Sequence, residues 1–426
     1  MTLQNLASGI GRLCNVTWTR ITQTKYTCGY VVLVLTSTIV CLILQGMIAG
    51  LHSQALSTLL DLYVKSGGDL SLLNSPLNWN QNQESNPHLL ALIDLKRLKD
   101  ENIFFVLLRL FYVYLGIDAI VRQSVIQLVA HSGLELMSVI FAAAQLYETH
   151  VCRKLVDSSM DLAVFDAAIH LSIAVIVILS VFTLVLAYSC KIIQQEIGWS
   201  TYKRLGADQG QKQRYRLAQW FLMVLKLDAF FHLVFSVFFV VVMSQEHIYG
   251  RGGSGLVWYI FHLIVTLLQI PSFLIARRGV THEKPICMNI FVLLQVVFFV
   301  DFCIILQQTA TSWAYWALAV SFAIALCIVT VVLTVYAKRN FNMGLLIHMQ
   351  QLFDEEGVFN KNHNLGSTSA RNSWLIDDDD VDHDFVSAAS TTVTLTTKTT
   401  LDQGADMSLT QSSSKILVES SHWQRQ

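Results

Sequence analysis

An all-α, polytopic transmembrane helix bundle is the fold class this sequence predicts, on three observations. The 426 residues are 53% hydrophobic and 14% charged, with 4 prolines, too apolar a composition for a soluble globular chain of this size. The apolar residues gather into runs that can cross about 30 Å of hydrocarbon, which takes about 20 residues at 1.5 Å each. Charge is segregated, with basic residues between the runs and an acidic C-terminal stretch. No broad basic surface of the kind a nucleic-acid binder needs is written here.

Eight spans are read in order: Tyr30 to Leu51, Ile103 to Val121, Val125 to Leu146, Leu162 to Tyr188, Leu217 to Val242, Leu256 to Ala276, Ile286 to Leu306 and Ala314 to Tyr336. The second and third are separated only by Arg122, Gln123 and Ser124. They form either a tight hairpin or one long broken helix, and the latter would reduce the count to seven. Tyr30, Trp220, Trp258, Trp313 and Tyr336 fall near span ends, where amphipathic rings favour the headgroup layer. The first span starts late and lacks a small-residue cleavage site, as expected of a retained signal anchor.

Lys and Arg in the connections set the orientation. With the N-terminus cytosolic, that side collects Arg12, Arg20, Lys25, Arg122, Lys191, Lys203, Arg204, Lys212, Arg214, Arg216, Arg277, Arg278, Lys284, Lys338 and Arg339. The other side has Arg153, Lys154 and Arg251 in its short loops, with Lys65, Lys96, Arg97 and Lys99 in the segment 52–102. Both termini are therefore expected in the cytosol. The sequon Asn15-Val16-Thr17 precedes the first span on that side and should be unused.

Three domains follow: a cytosolic segment 1–29, a transmembrane helical domain 30–336 with a lumenal loop at 52–102, and a cytosolic, largely disordered tail 337–426. The loop opens on Leu56, Leu59, Leu60, Leu62 and Val64, a pattern that suits a short interfacial helix. In the tail, Asp377, Asp378, Asp379, Asp380, Asp382 and Asp384 precede a Ser/Thr-rich run with nothing to bury, which suits phosphorylation and recognition by coat or adaptor proteins. The 8 cysteines are scattered and form no C-x-x-C spacing. Cys28 and Cys190 flank spans on the cytosolic side and suit either palmitoylation or burial as free thiols.

Between the fourth and fifth spans the chain reads EIGWSTYKRLGADQGQKQRYRLAQW. Gly206 can end one helix and Asp208 can cap the next. Trp199, Tyr202, Lys203 and Arg204 then form a cytosolic docking motif, for anionic lipid headgroups or for a protein partner. Together with Gly198, Leu205, Ala207, Tyr215, Gln219, Phe221, Leu225 to Asp228, Phe230 and Phe231, this stretch resembles the signature segment of an uncharacterised family of fungal Golgi apparatus multi-pass membrane proteins. Asp118-Ala119 with Ile126-Gln127, and Asn340-Phe341 with Gly344-Leu345, add to the resemblance, although Ser124 and Val125 depart from the Asn and Thr expected there. The resemblance spans roughly residues 25 to 350. It implies a Golgi membrane address and a fungal source, and it brings no activity, cofactor or catalytic residue.

Any chemistry must lie within the membrane. An ionisable group at a helix centre costs about 2.5 to 3.5 kcal/mol on insertion scales, so each needs a partner. Such groups are Asp118, His131, Glu135, Asp166, His170, Lys226, Asp228, His232, His262 and Asp301. Four pairs stand at i, i+4 on one helix face: Asp118 with Arg122, His131 with Glu135, Asp166 with His170, and Asp228 with His232. Glu135, Asp166, His170, Asp228, His232 and Asp301 make the candidate intramembrane polar site. Carboxylate and imidazole together suit proton or divalent-metal passage, or a zinc hydrolase, or simply helix packing. No H-E-x-x-H, G-x-S-x-G or Walker sequence occurs. The expectation is a non-enzymatic membrane protein without a cofactor, structural or trafficking in role, with transport of protons or divalent metal ions as the alternative. Its partners would be membrane lipids and cytosolic coat or adaptor proteins.

Overall fold

A computed structural model describes residues 17–65, 67, 87–156, 162–205, 209–245, 253–310, 313–341 and 343. Eight helices carry the fold: α1 (Lys25–Lys65), α2 (Pro87–Val121), α3 (Val125–Leu155), α4 (Ala163–Leu205), α5 (Gln209–Gln245), α6 (Gly253–Thr281), α7 (Pro285–Thr309) and α8 (Ala314–Arg339). Each is long and apolar enough to cross a membrane, and the described residues include no strand. Helices are what such runs must form, because hydrocarbon offers no partner for a backbone N–H or C=O.

Residues 122–124 form a tight turn, so α2 and α3 are an antiparallel hairpin and the count is eight. Gln123 takes a left-handed φ of 49°, and Ser124 caps α3 by accepting a hydrogen bond from Gln127 N at 3.4 Å.

The helices close into two four-membered rings. In the first, α1 packs on α2, α2 on α3, α3 on α4, and α4 back on α1; in the second, α5, α6, α7 and α8 follow the same cyclic order. The rings meet where α3 touches α5 and α8 and where α2 touches α5. The seam is aromatic: Phe111 stacks on Phe230 at 3.9 Å, and Phe104 packs against Phe235 and Tyr315 at 5.2 and 6.1 Å between ring centroids. One apolar core thus runs through both rings.

The first ring is taller than a bilayer. At 41 residues, α1 is about 60 Å long. Its far end, with Leu59 and Tyr63, packs against Leu92 and Leu95 of α2, Cys152 of α3 and Phe165 of α4 in a separate cluster. Residues 52–65 therefore continue α1, and α2 begins at Pro87, so both ends of the stretch read as a lumenal loop are helical. The tail beyond residue 343 lies outside the described residues.

Candidate functional site

The buried polar groups are held mostly by bonds between helices. In the first ring, Arg109 of α2 donates from Nη1 to Glu135 Oε2 of α3 at 2.6 Å, with both side chains fully buried. Ser37 of α1 donates to the other oxygen of Glu135 at 3.0 Å. One turn away along α3, His131 Nδ1 meets the Tyr30 hydroxyl at 2.6 Å, and its ring stacks on Tyr112 at 3.9 Å. Toward the far end, the amides of Gln45, Asn102 and Gln145 interlock at 2.5 to 3.0 Å, and His52 reaches Asn102 and Thr149.

The second ring is organised around α5. Asp228 accepts from Gln295 Nε2 of α7 at 2.7 Å, and its other oxygen lies 3.0 Å from His232 Nε2. His232 Nε2 also lies 3.1 Å from the Ala323 carbonyl of α8; a carbonyl only accepts, so this nitrogen carries its hydrogen. Two turns along α5, the Ser236 carbonyl accepts from His262 Nε2 of α6, whose Nδ1 meets Asp301 of α7 at 2.9 Å.

Between the rings, Asp118 is bridged by Arg122 of the α2–α3 turn and by Lys226 of α5, each at 2.7 Å. Glu148 of α3 accepts from the backbone N–H groups of Ala314 and Tyr315 at 2.7 and 3.2 Å. It thereby caps α8, whose own N-cap residue, Trp313, supplies no side-chain bond.

Two of the four expected i, i+4 pairs form, Asp118 with Arg122 and Asp228 with His232. The other two do not. His131 and Glu135 turn to partners on α1 and α2, because adjacent helices offer a hydroxyl and a guanidinium at better range. Asp166 is bound across α3–α4 by Arg153 at 2.8 Å, and His170 is exposed. The six candidate residues therefore make no single cluster. Glu135 belongs to one ring, and Asp228, His232 and Asp301 belong to the other, in separate bonded groups.

Arg109 was not among the expected residues. The signal was present, since an arginine in the middle of an apolar span with no acid three or four residues away must find its counter-charge on another helix. Among the described residues, no three His, Cys, Asp or Glu side chains gather in a way that could hold a metal ion. Trp199, Tyr202, Lys203 and Arg204 fall on the last turns of α4, but their side chains are not among those described. Gly206 and Asp208 lie outside the described residues, between the end of α4 at Leu205 and the start of α5 at Gln209. A cleft lined by Thr27, Gln123, Glu196 and Ile197 opens beside the α2–α3 turn, and none of the fully buried charges lines it.

No protein-family model matches the chain, and no solved structure matches it. It is 20% identical over 278 residues to a UPF0658 Golgi apparatus membrane protein of Schizosaccharomyces pombe, an overlap covering 57% of this chain and 75% of that one. The chain is thus a multi-pass helical membrane protein and a distant homologue of a Golgi apparatus membrane protein whose family has no assigned activity.

Proposed function

We propose that this protein is a resident of the Golgi membrane with a structural or trafficking role, not an enzyme, and that it works without a cofactor. The address is supported by the yeast homologue, a protein named for the Golgi apparatus membrane. The role is supported by one observation above all: the buried charges are consumed in fastening helices to one another. Glu135 is bound by α1 and α2, Asp301 by α6, and Asp228 by α7, in separate groups across two rings. A transport path requires such groups to converge on a water-filled passage. The cytosolic face, with the basic α4–α5 connection and the acidic tail, is then the working surface, toward lipid headgroups and coat or adaptor proteins.

Deleting the gene should displace resident Golgi enzymes and alter the glycans of secreted cargo. The purified protein in liposomes should leave proton and zinc permeability at the lipid background. Protein-dependent flux of either ion would overturn the reading.

Orientation has its own test. The excess of Lys and Arg in the connections supports a cytosolic position for both termini. Tags at either end should be digested in sealed vesicles with the cytosolic face outward and protected in inverted ones, and Asn15 should carry no glycan. A glycan at Asn15 would reverse the assignment.

A further inference from the structure

The two rings repeat one another. Four crossings return the chain to its starting face, so both rings run the same way through the membrane. Their central hairpins are built on the same turn. Gln123 and Glu283 both adopt left-handed φ, at 49° and 46°. The flanking bonds match as well: Ser124 N to Ala119 O at 3.1 Å beside Lys284 N to Gly279 O at 2.8 Å, and Gln123 N to Ile120 O at 3.1 Å beside Glu283 N to Val280 O at 3.4 Å.

Placing Ser124 on Lys284 lays α2–α3 on α6–α7 without a gap. All eight buried residues of α7, from Met288 to Thr309, then fall on buried residues of α3, from Leu128 to Thr149. Helical periodicity alone can align two buried faces, but it does not reproduce their contacts. Here two contacts between helices recur at equivalent positions. Arg109 falls on Gln269, Glu135 on Gln295 and Asn102 on His262, all buried. Placing Ser37 on Asp228 puts Gln45 on Ser236. Ser37 bonds Glu135 as Asp228 bonds Gln295, and Gln45 bonds Asn102 by its side-chain amide where Ser236 bonds His262 by its backbone carbonyl.

The copies differ in how charge is balanced. In the first, the Glu135 carboxylate is neutralised by the fixed guanidinium of Arg109. In the second, the arginine position is Gln269, which bonds Ser236, and the buried Lys and Arg side chains among the described residues, Arg97 and Arg109, are both on α2. Asp228 therefore sits fully buried with no fixed cation. Its Oδ1 lies 3.0 Å from His232 Nε2, a nitrogen that also faces the Ala323 carbonyl, and His232 Nδ1 has no partner. From α8 it is faced by the Cys327 thiol and the Thr330 hydroxyl, and from α7 by the neutral Gln295. The other carboxylates near α5 bond elsewhere: Asp301 to His262, Asp118 to Arg122 and Lys226, and Glu135 to Arg109.

We propose that α1–α4 and α5–α8 are two copies of one four-helix unit, and that the second copy binds an exchangeable proton on the Asp228–His232 pair where the first holds the guanidinium of Arg109. The inference stands apart from the trafficking reading, since a bound proton serves a static scaffold as well as a moving one.

The test uses the full-length chain in detergent and reads the yield of monodisperse protein. Asp228→Asn replaces a pair already neutral and should stay within about twofold of wild type. Gln269→Arg installs the first copy's cation, displaces the proton and should also stay within about twofold. Gln269→Arg with Asp228→Asn leaves a buried guanidinium unpaired and should fall tenfold or more. A tenfold loss with Asp228→Asn alone would show that the carboxylate charge answers a fixed partner, overturning the proton. Loss with Gln269→Arg alone, or its survival whether or not Asp228 is present, would overturn the equivalence of the copies.

Discussion

Arg109→Met alone should leave little folded protein, and Arg109→Met combined with Glu135→Leu should recover most of it. The pair is fully buried, with a 2.6 Å bond joining α2 to α3. Removing one partner of such a pair costs about 3 to 5 kcal/mol, because the other charge stays behind in a medium that cannot solvate it. Ser37 would then be left as a hydrogen-bond donor to Glu135. Replacing both by apolar side chains of similar volume removes the debt, and buried pairs treated so are often neutral in stability. Some loss should persist, since the guanidinium also lies over the Phe105 and Tyr112 rings at 5.4 and 5.2 Å. Thermal unfolding in detergent, followed by the loss of the monodisperse peak, gives the comparison. Single variants as stable as wild type would show that the pair does not hold the ring together.

Gly116→Ala should destabilise by about 1 to 3 kcal/mol, the usual cost of overpacking a filled interior. A Cβ at this position would stand 2.8 Å from His131 Nε2, closer than atoms tolerate. The imidazole cannot easily retreat, since Tyr30 holds its Nδ1 at 2.6 Å and Tyr112 covers its face. Adding His131→Ala should restore stability toward that of His131→Ala alone. Unchanged stability of Gly116→Ala would mean that the imidazole is free to move.

Most of the fold was legible, because spanning a bilayer is a matter of length and composition, and the apolar runs record both. The ends were not. Leu59 and Tyr63 continue α1 beyond the hydrocarbon, where a helix needs only one apolar stripe against its neighbours, and such a stripe is too sparse to read as a span. The polar site was half legible for a related reason. Spacing within one helix finds Asp228 with His232, since one helical turn sets that distance whatever surrounds it. It cannot find Tyr30 for His131 or Arg109 for Glu135, since those distances are set by how helices pack. The likeness of the two rings was hidden because equivalent buried positions exchange chemistry, Arg109 for Gln269 and Glu135 for Gln295.

The division into two closed rings bears on how the chain is made. Every bond of the first ring joins residues that are synthesised before Gln209, so that ring can close while the second is still being translated. At ~5–20 residues per second, completing α5 to α8 takes on the order of ten seconds. During that interval the first ring waits in the membrane with Phe104, Phe111 and Phe141 turned toward partners not yet made. Glu148 waits too, its carboxylate without the helix start that it will cap. A lesion in α8 would therefore strand a finished half presenting an aromatic flank to the lipid, the kind of intermediate that membrane quality control removes, and its victims would be lost through degradation with their first four helices intact.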